Sequence, residues 1–143
     1  MTEPVMETYA IDRPLGIGQV AIPVGELQRS IGFYRDVLGL RLLFQAPPGL
    51  AFLDCGGVRI MLTESKAEEL AAAGVIYYRV ADLDAAYLSL RARGAAFVDA
   101  PHRIARLPDH ELWMAFLRDP DDHLLALMAE RPHTVDESTG GPA

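Results

Sequence analysis

The stretch "QVAIPVGELQRSIGFY", residues 19–34, decides the fold, because its first six residues carry a strand pattern and the rest a helical one. Branched residues dominate "QVAIPV", and alternate positions differ in character, as on a half-buried pleated strand that extends upstream to Ile17. From Glu26 to Leu38 the residues Leu27, Ile31, Tyr34 and Leu38 recur at helical spacing, and Gly39 supplies the stop expected just past a helix. Three short apolar segments follow, "LRLLFQ", "LAFLDC" and "VRIMLT", separated by "APPG" and "GG" turns. The spacing predicts a βαβββ unit.

The same order then returns. "VIYYRV" at 75–80 reads as a strand, Asp82 as an N-cap, and Leu83, Ala86, Tyr87 and Leu90 mark a helix that ends at Gly94. "AAFVDA", "HRIARL" and the pair "ELWMAFLRDPDDHLLALMAE" follow as strands, with "DPDD" as a tight turn between apolar arms. "QVAIPVGELQRSIGFY" matches "VIYYRVADLDAAYLSL" at an offset of 56 residues, and "FLDCGGVRIMLTE" matches "FLRDPDDHLLALMAE" at 64 to 65. An internal duplication explains both. The expected organisation is an N-terminal extension at 1–14, a first module at 15–64, a linker at 65–73 that is partly helical, a second module at 74–130, and a flexible tail at 131–143. The fold class is α+β, with two tandem βαβββ modules.

Composition narrows the function. A chain of 143 residues, half of them apolar, is long enough to bury a core. A net charge of -7 with scattered basic residues argues against nucleic acid and anionic membrane as partners, since both need clustered Lys and Arg. Neither a signal-peptide pattern nor an apolar run of bilayer length is present in the sequence, so a cytoplasmic protein is expected. The lone Cys55 has no internal disulfide partner and reads as a small core residue rather than a nucleophile.

"SIGFYRDVLGL" after the first strand, "VADLDAAYLSLRARGA" after the fifth and "FLRDPDDHLLALM" at the end, in this order, resemble the vicinal oxygen chelate superfamily, which contains glyoxalase I, bleomycin-resistance proteins and extradiol dioxygenases. The resemblance spans residues 15 to 130. It implies curved mixed sheets around a central cavity, a homodimer, and a metal held on four strand positions, which fall here on Gln19, Met61, Val75 and Ala126. Only Gln19 offers an oxygen. A divalent ion needs three or more nitrogen or oxygen donors, and a one-residue slip of register reaches only Ile60, Leu62, Leu125 and Leu127, so no metal and no other cofactor is expected.

If those positions face the cavity, alternation adds Ala21, Arg59, Thr63, Tyr77, Arg79, Leu124 and Met128. The family's inward aromatic falls on Phe116, with Phe52 as its counterpart, and carries Met114, Leu112 and His110 to the same side and Glu111, Trp113 and Ala115 to the other. The expected ligand-binding set is therefore Gln19, Phe52, Met61, Tyr77, Arg79, His110, Met114, Phe116, Ala126 and Met128, an apolar pocket with a few polar points. His110 is the candidate acid or base, with Glu111 and Asp109 as the neighbouring carboxylates; on an extended strand Glu111 points away from it, and Asp109 lies in the turn after Pro108, while Trp113 is assigned to core or dimer interface. A second metal set, His102, His110, His123 and Glu111, lacks ligand spacing, and "DPDD" lacks the alternating donors of a calcium loop.

Three functions remain open: a metal-free protein that binds a small, largely apolar molecule; a metal-independent isomerase or lyase using His110; and a metal-dependent glyoxalase or dioxygenase, which the four positions oppose. Arg59 and Arg79 favour an anionic or neutral ligand over a cationic one.

Overall fold

The computed structural model describes residues 14–70 and 74–134. Most of the expected N-terminal extension, the end of the linker and the tail beyond Thr134 lie outside the described residues. Strand β1 (Gln19–Val24) leads through Gly25 into helix α1 (Leu27–Ile31), followed by strands β2 (Arg41–Ala46), β3 (Leu50–Cys55) and β4 (Val58–Glu64). A short helix α2 (Ala67–Leu70) begins the expected linker; then come β5 (Ile76–Arg79), helix α3 (Leu83–Ala92), β6 (Ala96–Phe97), β7 (His102–Arg106), β8 (Glu111–Arg118) and β9 (Leu124–Arg131).

Each module builds one sheet. The first has the order β1-β4-β3-β2, with β1 and β4 parallel and the other pairs antiparallel. The second repeats it as β5-β9-β8, and β6 and β7 both pair with the outer edge of β8. Those two are halves of one broken edge strand: Val98 N–H donates to the Phe116 carbonyl at 2.7 Å, while the Phe116 N–H is met at 2.8 Å by the Asp99 carboxylate in place of a backbone carbonyl. The duplication is written into the ladders. Ala21 pairs with Met61 and Phe52 with Met61 in the first sheet; Tyr77 pairs with Ala126 and Phe116 with Ala126 in the second.

Helix α1 differs from the expected α-helix of 26–38. Glu26 caps it, its carboxylate accepting from Arg29 N–H at 2.7 Å, but from Gly32 to Val37 the chain widens into a π-helix, in which Leu38 N–H reaches five residues back to the Phe33 carbonyl. The wider turn lets the consecutive rings of Phe33 and Tyr34 both enter the core, where they meet edge to face at 5.0 Å. Helix α3 matches its expected bounds: Asp82 accepts from Ala85 N–H, and Gly94 stops the helix at φ +100°.

One face of each sheet packs into a shared core. Ile22, Leu53 and Leu62 from the first sheet and Tyr78, Leu117 and Leu127 from the second are buried in one continuous cluster with Leu27, Ile31, Leu83 and Leu90 of the helices. The opposite faces stay open: Phe44 is 48% exposed and Tyr77 47%. No helix among the described residues is long and apolar enough to cross a membrane.

Candidate functional site

Strands β1 and β5 are the inner edges of their sheets and do not pair with one another. Between them opens a cleft of about 450 Å³, with Val20, Ala21 and Ile22 on one wall, residues 74–78 on the other, and Tyr34, His123 and Leu125 behind. Ala21, Val75, Tyr77 and Leu124, all directed inward by the sequence alternation, meet here. The walls are mainly apolar, and the volume suits a small organic molecule.

The expected ligand-binding residues form two blocks beside this cleft. On the first sheet Gln19, Phe52 and Met61 come together: the Gln19 amide N–H lies 3.7 Å from the Met61 sulfur, and Phe52 is the ladder partner of Met61. Phe44 stacks on Phe52 with ring centres 4.5 Å apart, and the Arg59 guanidinium stands 5.6 Å from the Phe52 centroid. On the second sheet Tyr77, Ala126 and Phe116 lie in register, as do Arg79, Met128 and Met114; Tyr77 meets Phe116 edge to face at 6.1 Å. Of the expected set, Tyr77 alone lines the cleft itself.

His110 joins neither block. It precedes β8, six positions from Phe116, about 20 Å along an extended chain. Its Nδ1 sits 2.8 Å from the Asp109 carboxylate, and its Nε2 is 3.7 Å from Glu130. That hydrogen bond draws the exposed Asp109 carboxyl below the ordinary carboxylate range.

The four positions implied for a metal can be tested by their chemistry. Gln19 Oε1 accepts a hydrogen bond from Arg59 Nε at 3.0 Å, so a guanidinium occupies the place beside the one available oxygen. Met61 contributes a thioether, while Val75, 40% exposed just before β5, and the fully buried Ala126 contribute no donor. This donor set does not fit a divalent ion. The second set is dispersed, since Glu111 and His123 lie at opposite ends of the β8–β9 hairpin.

Asp119, Asp121 and His123 do converge, with ligand-type atoms within 4.8 Å of one another, but each is already engaged. Asp121 accepts from Gly25 N–H, Arg29 and Ser30; Asp119 accepts from Tyr34 O–H at 2.7 Å and from the N–H groups of Asp121 and His123. His123 Nε2 donates to the Pro23 carbonyl at 2.6 Å. The "DPDDH" turn is thus a clasp that holds the second module to β1 and α1 of the first. Burial and the Asp119 charge push the Tyr34 phenol far above its usual range, so it stays a donor. A cation at this cluster would have to displace the Arg29 guanidinium and strip partners from all three residues.

Glu111 points away from His110, as expected, and is fully buried. Its carboxylate accepts from Trp113 Nε1 at 2.9 Å, from the backbone and hydroxyl of Thr134, and from Arg103 and Arg106. These donors, Trp113 foremost, hold its pKa at about 2 against the opposing effect of desolvation. The segment expected as a flexible tail from residue 131 instead begins inside β9, which runs to Arg131, and is tied down as far as Thr134, with His133 also bonded to the Leu107 carbonyl. Neither the clasp nor this carboxylate was identified from sequence; the signal available was a run of five polar or turn-forming residues, "DPDDH", too dense for a simple turn.

A family model described as "Glyoxalase/Bleomycin resistance protein/Dioxygenase superfamily" matches residues 16–127. Bleomycin resistance proteins of Geobacillus stearothermophilus and Staphylococcus aureus are each 48% identical over 48 residues, a stretch that spans 34% of this chain and 36% of theirs. Among solved structures, a glyoxalase/bleomycin resistance protein/dioxygenase from Alicyclobacillus acidocaldarius superposes with a TM-score of 0.66 at 24% identity, over 84% of this chain and 95% of that one. A lactoylglutathione lyase from Agrobacterium tumefaciens gives 0.64 at 22% identity, over 82% and 95%, and TioX from Micromonospora sp. ML1 gives 0.66 at 22%, over 80% and 98%. At these identities the structures establish the shared fold.

Proposed function

Because the chain belongs to the glyoxalase/bleomycin resistance protein/dioxygenase superfamily, we propose that it is a metal-free member that binds a small, largely apolar organic molecule in the cleft between its modules. The observation that carries this reading is the Gln19–Arg59–Met61 contact. A cation of the protein itself holds the only oxygen among the four implied metal positions, and the cleft beside it is apolar. Arg59 beside Gln19 and Arg79 two positions beyond Tyr77 on β5 add positive charge to the two blocks, which favours a neutral or anionic ligand. The likeness to bleomycin resistance proteins agrees with a binding role, although the matched stretch spans about a third of those proteins.

Equilibrium dialysis against zinc, nickel and manganese, paired with titration of a neutral apolar probe, tests the reading. We expect no stoichiometric retention of metal, and probe binding that Ala21→Trp abolishes by filling the cleft. One retained ion per chain that disappears in Gln19→Ala would return the protein to the metal-dependent group.

The second reading, an isomerase or lyase centred on His110, draws support from the 2.8 Å contact with Asp109. It ranks lower because His110 stands about 20 Å along the chain from Phe116. Homodimerisation belongs to the favoured reading: the exposed rings of Phe44 and Tyr77 are faces a second copy would cover, and sedimentation velocity tests it.

A further inference from the structure

Building on the cleft reading, we propose that the ligand carries an N-acyl amino acid amide unit, the repeating unit of a short peptide, and that the open backbone edges of β1 and β5 recognise it. The parity of the ladders fixes which groups face the cleft. Arg59 N–H donates to the Gly18 carbonyl and Ser65 N–H to the Val24 carbonyl, so the even-numbered residues of β1 turn their N–H and C=O toward β4. Gln19, Ala21 and Pro23 turn theirs the other way. On β5, Val80 N–H donates to the Met128 carbonyl, so Tyr77 and Arg79 point away from β9 by the same alternation.

One end of this edge is closed. Pro23 has no N–H, and its carbonyl is taken by His123. Ala21 and Tyr77 differ: both line the cleft, and their backbone N–H and C=O groups take no partner among the described residues. An open strand edge is a template for hydrogen bonding, and the complement of one residue's N–H and C=O is the same pair flanking a single carbon. An acylated amino acid amide presents that pair, and its side chain would lie against the apolar walls. Only a short segment of edge is open, which favours a small peptide-like molecule over a long strand.

The test is an NMR titration of the full chain with N-acetylphenylalanine N-methylamide, with its fully N-methylated analogue, which lacks N–H donors, and with n-butylbenzene. The expected result is movement of the Ala21 and Tyr77 amide resonances with the first probe and about tenfold weaker binding of the methylated analogue. Ala21→Pro removes the donor that would meet the probe's carbonyl, so it should lower affinity for the first probe and leave n-butylbenzene binding unchanged; the lost N–H faces away from β4, as the Pro23 nitrogen already does, so the β1–β4 ladder is kept. Equal affinity for the two amides overturns the proposal, as does unchanged binding in a folded Ala21→Pro chain, and binding of n-butylbenzene would then leave the cleft reading intact. If none of the three probes binds, both fail. Should Ala21→Pro not fold, the comparison of the two amides decides alone.

Discussion

Two buried tyrosines offer a matched measurement of the clasp. Tyr34 donates to Asp119 at 2.7 Å, whereas the Tyr78 hydroxyl is buried with no hydrogen-bond partner among the described residues. Tyr→Phe removes the same atom from each, with almost no change in packing. At Tyr34 the lost bond is to a buried carboxylate, and one Asp119 oxygen is left without its donor; a hydrogen bond to a charged group contributes roughly 1.5–3 kcal/mol, so a loss of about 2.5 kcal/mol is expected. For 143 residues the unfolding entropy is on the order of 0.3 kcal/mol per kelvin, which turns that loss into a fall in Tm of about 8 °C. At Tyr78 the same change removes an unsatisfied group, and stability should hold or rise by about 1 kcal/mol. Urea denaturation monitored by circular dichroism and by tryptophan fluorescence gives both differences. A Tyr34→Phe loss no larger than that of Tyr78→Phe would refute the clasp as a source of stability.

Three more outcomes concern Glu111, the buried tyrosines and the Gly25 turn. Glu111 has a folded-state pKa of about 2, below its unfolded value, so its contribution is present above about pH 4.5 and is lost as the pH falls toward 2; Glu111→Gln should flatten that part of the pH–stability curve. Tyr34 and Tyr78 have folded pKa values raised above the unfolded value, chiefly by burial, so the folded state carries no ionisation penalty from them below about pH 10 and loses stability above it. In an ultraviolet titration of the five tyrosines these two should ionise only as the chain unfolds, and early ionisation of all five would contradict their burial. At Gly25 a Cβ would stand 2.8 Å from Asp121 Oδ1, so Gly25→Ala should cost about 1–3 kcal/mol in denaturation experiments, and an unaffected midpoint would show that the turn yields freely.

The elements that follow from local pattern were legible in the sequence. The alternation of "QVAIPV", the cap at Asp82 and the glycines at 39 and 94 each act within a few residues, and the structure repeats them with little change. The register was legible too, because a duplicated chain must pair its copies alike, and the Ala21–Met61 and Tyr77–Ala126 ladders do so. The π-helical turn was not: "GFYRDV" has good helical spacing, and only the need to bury Phe33 beside Tyr34 decides for the wider turn. The clasp escaped for another reason. Its bonds join residues 85 to 100 positions apart, and no local signal distinguishes an aspartate that finishes a turn from one that reaches another module. His110 shows the converse fault, for parity gave its side of the strand while the strand's length carried it away from the cleft.

The duplication also explains how a nearly symmetric frame yields a directional site. At equivalent positions the first module has the small Ala21 on its edge strand and the long Met61 beside it, while the second has the large Tyr77 on the edge and the small Ala126 beside it. Bulk has changed places between neighbouring strands, so each pair keeps a comparable volume and the sheets still fit together. The cleft between them does not stay symmetric: it is open over Ala21 and walled by the Tyr77 ring, which Phe116 supports from behind. Charge follows the same asymmetry. Arg59 occupies the first-module position whose counterpart is Leu124, so the cationic group beside Gln19 has no mirror image across the seam. In the proposed ligand site both walls offer a backbone edge, but Gln19 and the Arg59 guanidinium flank the first and the Tyr77 ring covers the second. Two such unlike walls can fix the direction in which an unsymmetrical molecule lies, which the four equivalent corners of a duplicated metal site would not do.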